Sequence, residues 1–272
     1  MRIPSFVSVF LLVAVVFLAC DKDGGPGPSG SSGKLNYGDS VFYLRSQSYD
    51  ISPLNERAGT YTAFPGNLLI DPATGKITVK IIGQGLESQT GLRYKIKYTS
   101  TDGSVSDSTY IILSGINYLD RIYYLSQNDS IISPIYNAKL TNALPGGTYG
   151  IQADGDLAID PVTGKININE CIRRGLFNQP AENGEWEELT VEYKSNDPSN
   201  NVTNRIDIAL YFYNSLADVP SNVSALMREH QKMTLGIPQQ EIPVTTGPID
   251  LDLPDNISTS RPRPPCIIIV AN

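Results

Sequence analysis

The sequence predicts an all-β protein made of two tandem antiparallel β-sandwich domains, followed by a proline-rich tail with a short helix and a final strand. Residues 66–77 and 155–166 are identical at 9 of 12 positions, at an offset of 89 residues. Apolar residues alternate with polar ones in both halves, as in Tyr94, Ile96 and Tyr98 against Lys95 and Lys97, a pattern typical of half-buried strands. Because no helical period of useful length precedes residue 218, these repeats indicate a duplicated β domain.

The first 19 residues predict a secretion signal. Arg2 precedes an apolar run that ends at Ala19, and Cys20 is followed at once by charged residues. This run is shorter than the about 20 residues that a membrane-spanning helix needs, and the small residue before Cys20 marks a cleavage point. Residues 20–34 are rich in Gly, Pro and Ser, so we expect them to form a flexible linker.

Residues 17–20, Phe-Leu-Ala-Cys, resemble the lipobox of bacterial lipoproteins, with Phe17 in place of the usual Leu. The resemblance implies acylation of Cys20, with palmitate as an expected modification, and a lipid anchor in the cell envelope. The acidic residues after Cys20 resemble an export signal to the outer face of the outer membrane in one Gram-negative group. The alternative is ordinary secretion, in which Cys20 is discarded.

The chain divides into domain 1 at residues 35–117, domain 2 at residues 118–215 and a tail at residues 216–272. In each copy, Asp-Pro-x-Thr-Gly separates two apolar alternations, which predicts a turn with Asp71 or Asp160 capping it. A metal site at these aspartates is the alternative. The formal net charge of −7 makes nucleic acid an unfavourable partner.

The tail contains two predicted elements. Residues 221–233 predict a short helix with Ser221 as its cap, and its apolar face is expected to hold Val223, Leu226 and Met227, with His230 as a further candidate. Residues 266–270 are all apolar or Cys, and the simplest interpretation is a last strand that completes the sheet of domain 2. The alternative is a strand donated to a neighbouring molecule.

The repeated segment, preceded by Gly-Thr-Tyr and followed by Tyr-x-Ile-x-Tyr, resembles the cadherin-like and Ig-like repeats of bacterial surface proteins. The resemblance covers both copies and implies tandem Ig-like (cadherin-like) sandwiches, while it indicates no activity. Calcium-binding cadherin repeats carry acidic ligands at the domain junction. Leu119 and Asp120 match that pattern only in part, since Ile122 stands where an acidic residue is needed.

Few residues can support catalysis or metal binding. His230 is the only histidine, so we expect neither a zinc site nor a catalytic triad, and we predict no metal, no cofactor and no enzymatic activity. Cys171 and Cys266 are a candidate disulfide in an oxidising envelope, with buried free thiols as the alternative. Residues 249–256 predict either an edge strand or, less in keeping with their spacing, a calcium loop.

Domain 2 has an added segment between Ile166 and Tyr193 that holds the only Trp. Trp186 and Phe177 are candidate ligand contacts, because aromatic rings on a rigid sandwich suit stacking on sugar rings. The alternative is that Trp186 folds back over the sheet. The acidic residues around Trp186 leave a carboxylate-based hydrolase as a distant alternative, and they are Glu182, Glu185, Glu187 and Glu188.

Three short sites, in which Asp-Ser is followed by Val, Thr or Ile, resemble acceptor motifs for O-glycans in the same Gram-negative group, and they centre on Ser40, Ser108 and Ser130. Polar starts of strands explain them equally well. Together these features predict a non-enzymatic, envelope-anchored lipoprotein with a binding, structural or adhesive role. A glycan-binding accessory of a polysaccharide uptake system is one alternative, and a pilus or adhesin subunit is another. The expected partners are the membrane and either carbohydrate or envelope proteins.

Overall fold

A computed structural model describes residues 33–80, 89–151, 156–235 and 264–272. Domain 1 begins with short strands and ends with a long hairpin. Its strands are β1 (Val41–Phe42), β2 (Tyr49–Ile51), β3 (Gly59–Phe64), β4 (Ile77–Val79), β5 (Leu92–Ser100) and β6 (Ser106–Leu113). A four-stranded sheet in the order β1-β6-β5-β3 packs against the pair β2-β4. The core between them includes Tyr61, Ile77, Tyr94 and Ile96, all at most 1% exposed.

Domain 2 repeats this plan with additions. Its elements are β7 (Ile116–Tyr118), β8 (Arg121–Tyr124), β9 (Ile131–Ile132), β10 (Pro134–Tyr136), β11 (Gly147–Tyr149), β12 (Ile166–Asn167), α1 (Ile168–Arg174), β13 (Trp186–Ser195), β14 (Thr203–Tyr213), α2 (Ser221–Leu235) and β15 (Cys266–Val270). The main sheet has the order β11-β13-β14-β15-β8, and the pairs β12-β9 and β10-β7 complete the domain. The predicted all-β fold class is confirmed.

The last strand, β15, lies inside the main sheet of domain 2 and not at its edge. It runs parallel to both of its neighbours, β14 and β8, and all five of its residues are buried. In the described residues the strand pairings are otherwise antiparallel, as predicted, except that β1 runs parallel to β6. The continuous apolar run of β15 is explained by this position, because both faces of a central strand are covered.

The repeated Asp-Pro-x-Thr-Gly segments form the same turn in both domains, as predicted. The Oδ1 atom of Asp71 accepts hydrogen bonds from the backbone of Ala73 at 2.8 Å and of Thr74 at 2.9 Å, and Gly75 has a φ of 71°. Asp160 makes the equivalent bonds at the same distances. Backbone N–H donors lower the pKa of both carboxyls, so these aspartates act as turn caps.

Two helices flank domain 2. The sequence did not predict α1, which has Asn167 as its N-cap and Gly175 at its C-terminal end with a φ of 101°. The predicted tail helix is present as α2, although Ser221 is its first residue and not its cap. Val223 and Met227 pack in a cluster with Ile268 and Val270 of β15. This cluster lies on the sheet face opposite the sandwich core, so α2 covers the part of the outer face of domain 2 that lies over β15. The helix also packs against β5 of domain 1.

A buried polar network joins the two domains. The hydroxyl of Tyr193 accepts a hydrogen bond from the backbone N–H of Ile116 at 3.0 Å and lies 3.5 Å from Oγ1 of Thr90. Nδ2 of Asn204 donates to the same Thr90 oxygen at 2.9 Å. Val202 of domain 2 packs against the core cluster of domain 1. The predicted boundary after residue 117 falls inside β7, whose Ile116 and Tyr118 pack in the core of domain 2.

Candidate functional site

Trp186, at the first position of β13, is the most exposed aromatic side chain among the described residues, with 55% of its surface accessible. It lies opposite Tyr211 of β14 in the strand register. The two rings stack with centroids 6.1 Å apart and an angle of 21° between their planes. The interpretation of Trp186 as a cover for the sheet core is therefore wrong, because one face of its ring rests on Tyr211 and the rest of the side chain faces solvent.

Phe177, the other predicted ligand contact, is buried, with 4% of its surface accessible. Its ring lies 5.7 Å from the ring of Phe212, inside the core of domain 2. The prediction that Phe177 contacts a ligand at the surface is therefore wrong. The side chain instead anchors the added segment, since burial of a phenyl ring stabilises by about 1.5 to 3 kcal/mol.

Hydrogen bonds hold the chain before Trp186 in one conformation. The N–H of Gly184 donates to the carbonyl of Phe212, and the N–H of Phe212 donates to the carbonyl of Glu185, both at 2.8 Å. The side chain of Glu185 accepts from the backbone of Glu182 at 2.9 Å and from Nδ2 of Asn178. These bonds extend the β13-β14 hairpin backwards, so Trp186 sits on a fixed frame.

The acidic residues near Trp186 have different surroundings. Glu185 is engaged in the turn that precedes the strand, whereas Glu187 and Glu188 are exposed. On β13, Trp186 and Glu188 share the outer face with Thr190, because alternate residues of a strand point to the same side. Oγ1 of Thr190 donates to Asp207 at 2.6 Å. The site is thus an exposed aromatic stack beside carboxylates, which can contact a ligand through ring stacking and hydrogen bonds.

Cys171 and Cys266, the candidate disulfide, are both free and buried, as in the alternative interpretation. Cys171 packs in the sandwich core, whereas Cys266 belongs to the cluster under α2. The main sheet of domain 2 separates these two clusters, so the sulfurs lie on opposite faces and cannot pair. Burial raises the pKa of the Cys171 thiol and raises that of Cys266 to about 12, so neither is a thiolate nucleophile at neutral pH.

Asp120, the residue considered for calcium at the junction, is completely buried. Its Oδ1 atom accepts a hydrogen bond from the backbone N–H of Cys266 at 2.6 Å. The carboxylate therefore binds the backbone N–H of the first residue of β15. No cluster of three or more His, Cys, Asp or Glu residues with the spacing of a metal site occurs in the described parts of the chain.

The three candidate glycosylation sites differ in exposure. Ser40 and Ser108 are exposed, and Ser130 is half-buried. The neighbouring aspartates have structural partners in two cases. Asp107 forms an ion pair with Arg57 at 3.2 Å, and Asp129 forms one with Arg121 at 2.6 Å. Modification of these serines stays a prediction.

Several predicted features lie outside the described residues. These are the signal peptide, Cys20, most of the linker, the side chain of His230 and residues 249–256. Among the helices in the described ranges, none has the length and apolar character needed to span a membrane.

No family model and no curated protein sequence matches the chain. Among solved structures it is similar to Drosophila N-cadherin EC1-4, with 14% identity and a TM-score of 0.21 over 64% of this chain and 47% of that one. It is also similar to the titin Ig tandem A164-A165, with 14% identity and a TM-score of 0.22 over 61% and 89%. Titin z1z2 in complex with telethonin matches at 11% identity and a TM-score of 0.18, over 66% and 92%.

The chain spans about half the length of the N-cadherin fragment that it matches. The TM-scores are low, so these neighbours carry no argument about ligand, partner or assembly. Cadherin and Ig domains share with this chain an all-β architecture of packed sheets. The fold class rests on the strand pairings of the chain itself.

Proposed function

We propose that this protein is a non-catalytic lipoprotein of the cell envelope that presents two Ig-like sandwiches for binding. The lipobox-like residues 17–20 and the following linker support anchoring through Cys20. The linker would hold the sandwiches away from the membrane, where the exposed parts of their outer sheet faces can meet a ligand. Localisation to the outer membrane and exposure at the cell surface belong to this proposal.

The observation that carries the binding role is the exposed stack of Trp186 on Tyr211. A tryptophan with 55% of its surface accessible leaves a large apolar area in water, although burying such a ring stabilises a protein or a complex. The hydrogen-bonded frame before β13 orders the ring before any ligand arrives, which lowers the entropy cost of binding. We therefore propose a glycan as the ligand, held by stacking of a sugar ring on Trp186.

The absence of catalysis is also part of the proposal. Both described cysteines are buried with raised pKa values, which disfavours a thiol nucleophile. Glu170 forms ion pairs with Arg173 and Arg174 on one helix face, which accounts for the lowered pKa of its carboxyl without a catalytic role.

The second candidate, a pilus or adhesin subunit, would donate its C-terminal strand to a neighbour. Five backbone pairings with β14 and four with β8 already occupy β15 within the same chain. Donation would therefore require removal of a buried central strand, and we give this candidate the lower rank.

The glycan proposal is tested with purified residues 21–272 on a panel of bacterial and plant polysaccharides. Trp186→Ala should lower affinity for any bound glycan by about tenfold or more, which corresponds to about 1.4 kcal/mol of lost stacking. Leu140→Ala removes a side chain of similar exposure, 61%, and should change nothing. Full glycan affinity in Trp186→Ala, or no glycan retained by the wild-type protein, would sink the proposal.

Anchoring is tested separately by growing cells with labelled palmitate and isolating their envelopes. The wild-type protein should carry the label, and Cys20→Ser should not. An unlabelled wild-type protein in the culture fluid would favour ordinary secretion instead.

A further inference from the structure

The outer face of the main sheet in domain 1 carries a row of cations. Along β5, Leu92, Tyr94, Ile96 and Tyr98 point into the core, so the residues between them point outward. These outward residues include Arg93, Lys95 and Lys97. Successive members of the row are about 6.8 Å apart, because a strand advances about 3.4 Å per residue.

An exposed aromatic ring holds part of this row in place. Tyr110 of β6 lies opposite Lys95 in the register and has 40% of its surface accessible. The guanidinium carbon of Arg93 lies 4.0 Å from the centroid of the Tyr110 ring, and Nζ of Lys95 lies 6.0 Å from it. Such cation–π contacts stabilise by about 0.5 to 1 kcal/mol at exposed sites, so they order the cations without neutralising them.

Carboxylates do not balance these charges within the sheet. The cross-strand neighbours of Lys97 are Thr62 and Ser108, and Lys95 has Phe64 as its other neighbour. The outward positions of β3, β5 and β6 hold no Asp or Glu, and none of the three cations forms an ion pair in the described part of the chain. Like charges at neighbouring positions repel one another, and an anionic ligand would relieve that repulsion.

Domain 2 shows that the fold itself does not require this charge. When the matching segments Tyr94–Tyr98 and Leu189–Tyr193 are superposed by sequence, the positions of Arg93, Lys95 and Lys97 hold Glu188, Thr190 and Glu192. The whole chain has a net charge of −7, so the basic row has the opposite sign to the protein as a whole. Helix α2 packs against β5, yet Lys95 and Lys97 are still exposed.

We propose that this face of domain 1 binds an anionic polysaccharide. Carboxylate or sulfate groups would pair with Arg93, Lys95 and Lys97, and the hydroxyls of Ser108 and Thr62 would bond to the sugar. A polymer fits better than a small anion, because the cations form a line along β5 and do not converge on one point. The inference deepens the proposed binding role but does not depend on Trp186, which lies in the other domain.

The test is affinity electrophoresis of residues 21–272 through gels that contain polygalacturonate, dextran sulfate or neutral dextran. The wild-type protein should be retarded by at least one of the two anionic polymers and not by dextran, and the polymer that retards it identifies the anion. The double variant Lys95→Gln/Lys97→Gln should bind that polymer about tenfold more weakly, because two charge-assisted contacts are lost. Added salt should weaken the wild-type binding more than that of the variant.

The matched control is Lys139→Gln/Lys165→Gln, which removes two exposed lysines elsewhere. It should bind like the wild type, and an equal loss in this control would show general charge attraction and overturn the proposal. The proposal also fails if neither anionic polymer retards the wild-type protein, or if the protein binds vesicles of anionic lipid instead. Retention of anionic polymer by Trp186→Ala separates this inference from the glycan site on domain 2.

Discussion

Domains 1 and 2 share one sandwich plan, and the main difference between them is a single inserted strand. In domain 1, β1 pairs directly with β6, with Val41 opposite Ile112. In domain 2, β15 stands between the corresponding strands β8 and β14. A strand from the end of the chain has thus widened the second sheet. A duplicated fold can therefore accept a distant segment of the chain at the centre of its sheet.

The insertion gives a repeated aspartate a new role. Asn36-Tyr37-Gly38-Asp39 in domain 1 corresponds to Asn117-Tyr118-Leu119-Asp120 in domain 2, and the tyrosines of both copies bond to the glycine carbonyl of the Asp-Pro-x-Thr-Gly turn. Asp39 is exposed. Asp120 is buried and accepts a hydrogen bond from the first backbone N–H of β15. The position of β15 beside it therefore explains why Asp120 is buried and Asp39 is not.

A second repeated feature is a pair of packed tyrosines, and one hydroxyl of this pair has a different hydrogen-bond partner in each domain. Tyr61 and Tyr98 in domain 1 correspond to Tyr149 and Tyr193 in domain 2, with ring centroids 5.1 Å and 5.9 Å apart. The hydroxyl of Tyr98 donates to Ala58 within its own domain at 2.8 Å. That of Tyr193 belongs to the junction network instead.

Removal of residues 264–272 should have the largest effect and should be confined to domain 2. All five residues of β15 are buried, and each large apolar side chain contributes about 1.5 to 3 kcal/mol. This sum is comparable with the about 5 to 15 kcal/mol by which whole domains are stable. Calorimetry should show one unfolding transition lost and that of domain 1 retained. Deletion of Asn272 alone is the control, and an unchanged second transition in the longer deletion would show that β15 does not stabilise domain 2.

Gly115→Ala should weaken the junction by about 1 to 3 kcal/mol through overpacking. A Cβ atom there would lie 2.6 Å from the Tyr193 hydroxyl and 2.7 Å from Oγ1 of Thr90. Gly146→Ala is the matched control, since its Cβ would meet nothing within 4 Å. Denaturant unfolding should separate the two domain transitions in the first variant only. Equal stability of the two variants would mean that the network does not couple the domains.

Tyr193→Phe and Tyr98→Phe test the different hydrogen bonds of these two hydroxyls, and we expect a smaller effect than for Gly115→Ala. Each substitution removes one hydroxyl oxygen. Tyr193→Phe should lower the free energy of unfolding by about 1 to 2 kcal/mol, because the buried N–H of Ile116 loses its partner. Tyr98→Phe should lower it by about 1 kcal/mol. Tyr98→Phe should lower the melting temperature of domain 1 alone. Tyr193→Phe should also alter domain 1, because its partner Thr90 lies there. A loss restricted to domain 2 would show that the junction contact is weak.

Local features of the fold could be predicted from the sequence because they depend on nearby residues. The turns at Asp71 and Asp160 and the helix after Ser221 are examples. The helix α1 spans seven residues, too few to show a period, although Asn167 as a cap and Gly175 as a stop could have indicated it.

Features that depend on distant pairing could not be predicted in the same way. The central position of β15 depends on strands far away in the chain, and an apolar run alone does not show which strands it joins. Trp186, which was interpreted as a cover for the sheet core, is exposed, and Phe177, which was predicted to contact a ligand at the surface, is buried. Strand register places Trp186 on the outer face opposite Tyr211, and the turn after α1 directs Phe177 inward. The alternation of basic and apolar residues in β5 could be read from the sequence. That no carboxylate lies opposite the basic residues could be seen only from the cross-strand partners.

In this structure the chain completes the sheet of domain 2 with its own last strand. The decisive measurement is hydrogen exchange of the amides of Ile267 to Val270 over about a hundredfold range of protein concentration. If the strand belongs to its own chain, these amides should exchange only through global unfolding of domain 2, at the same rate at every concentration. Fast exchange in dilute protein, with protection that appears only as concentration rises, would mean that the strand is exchanged between molecules.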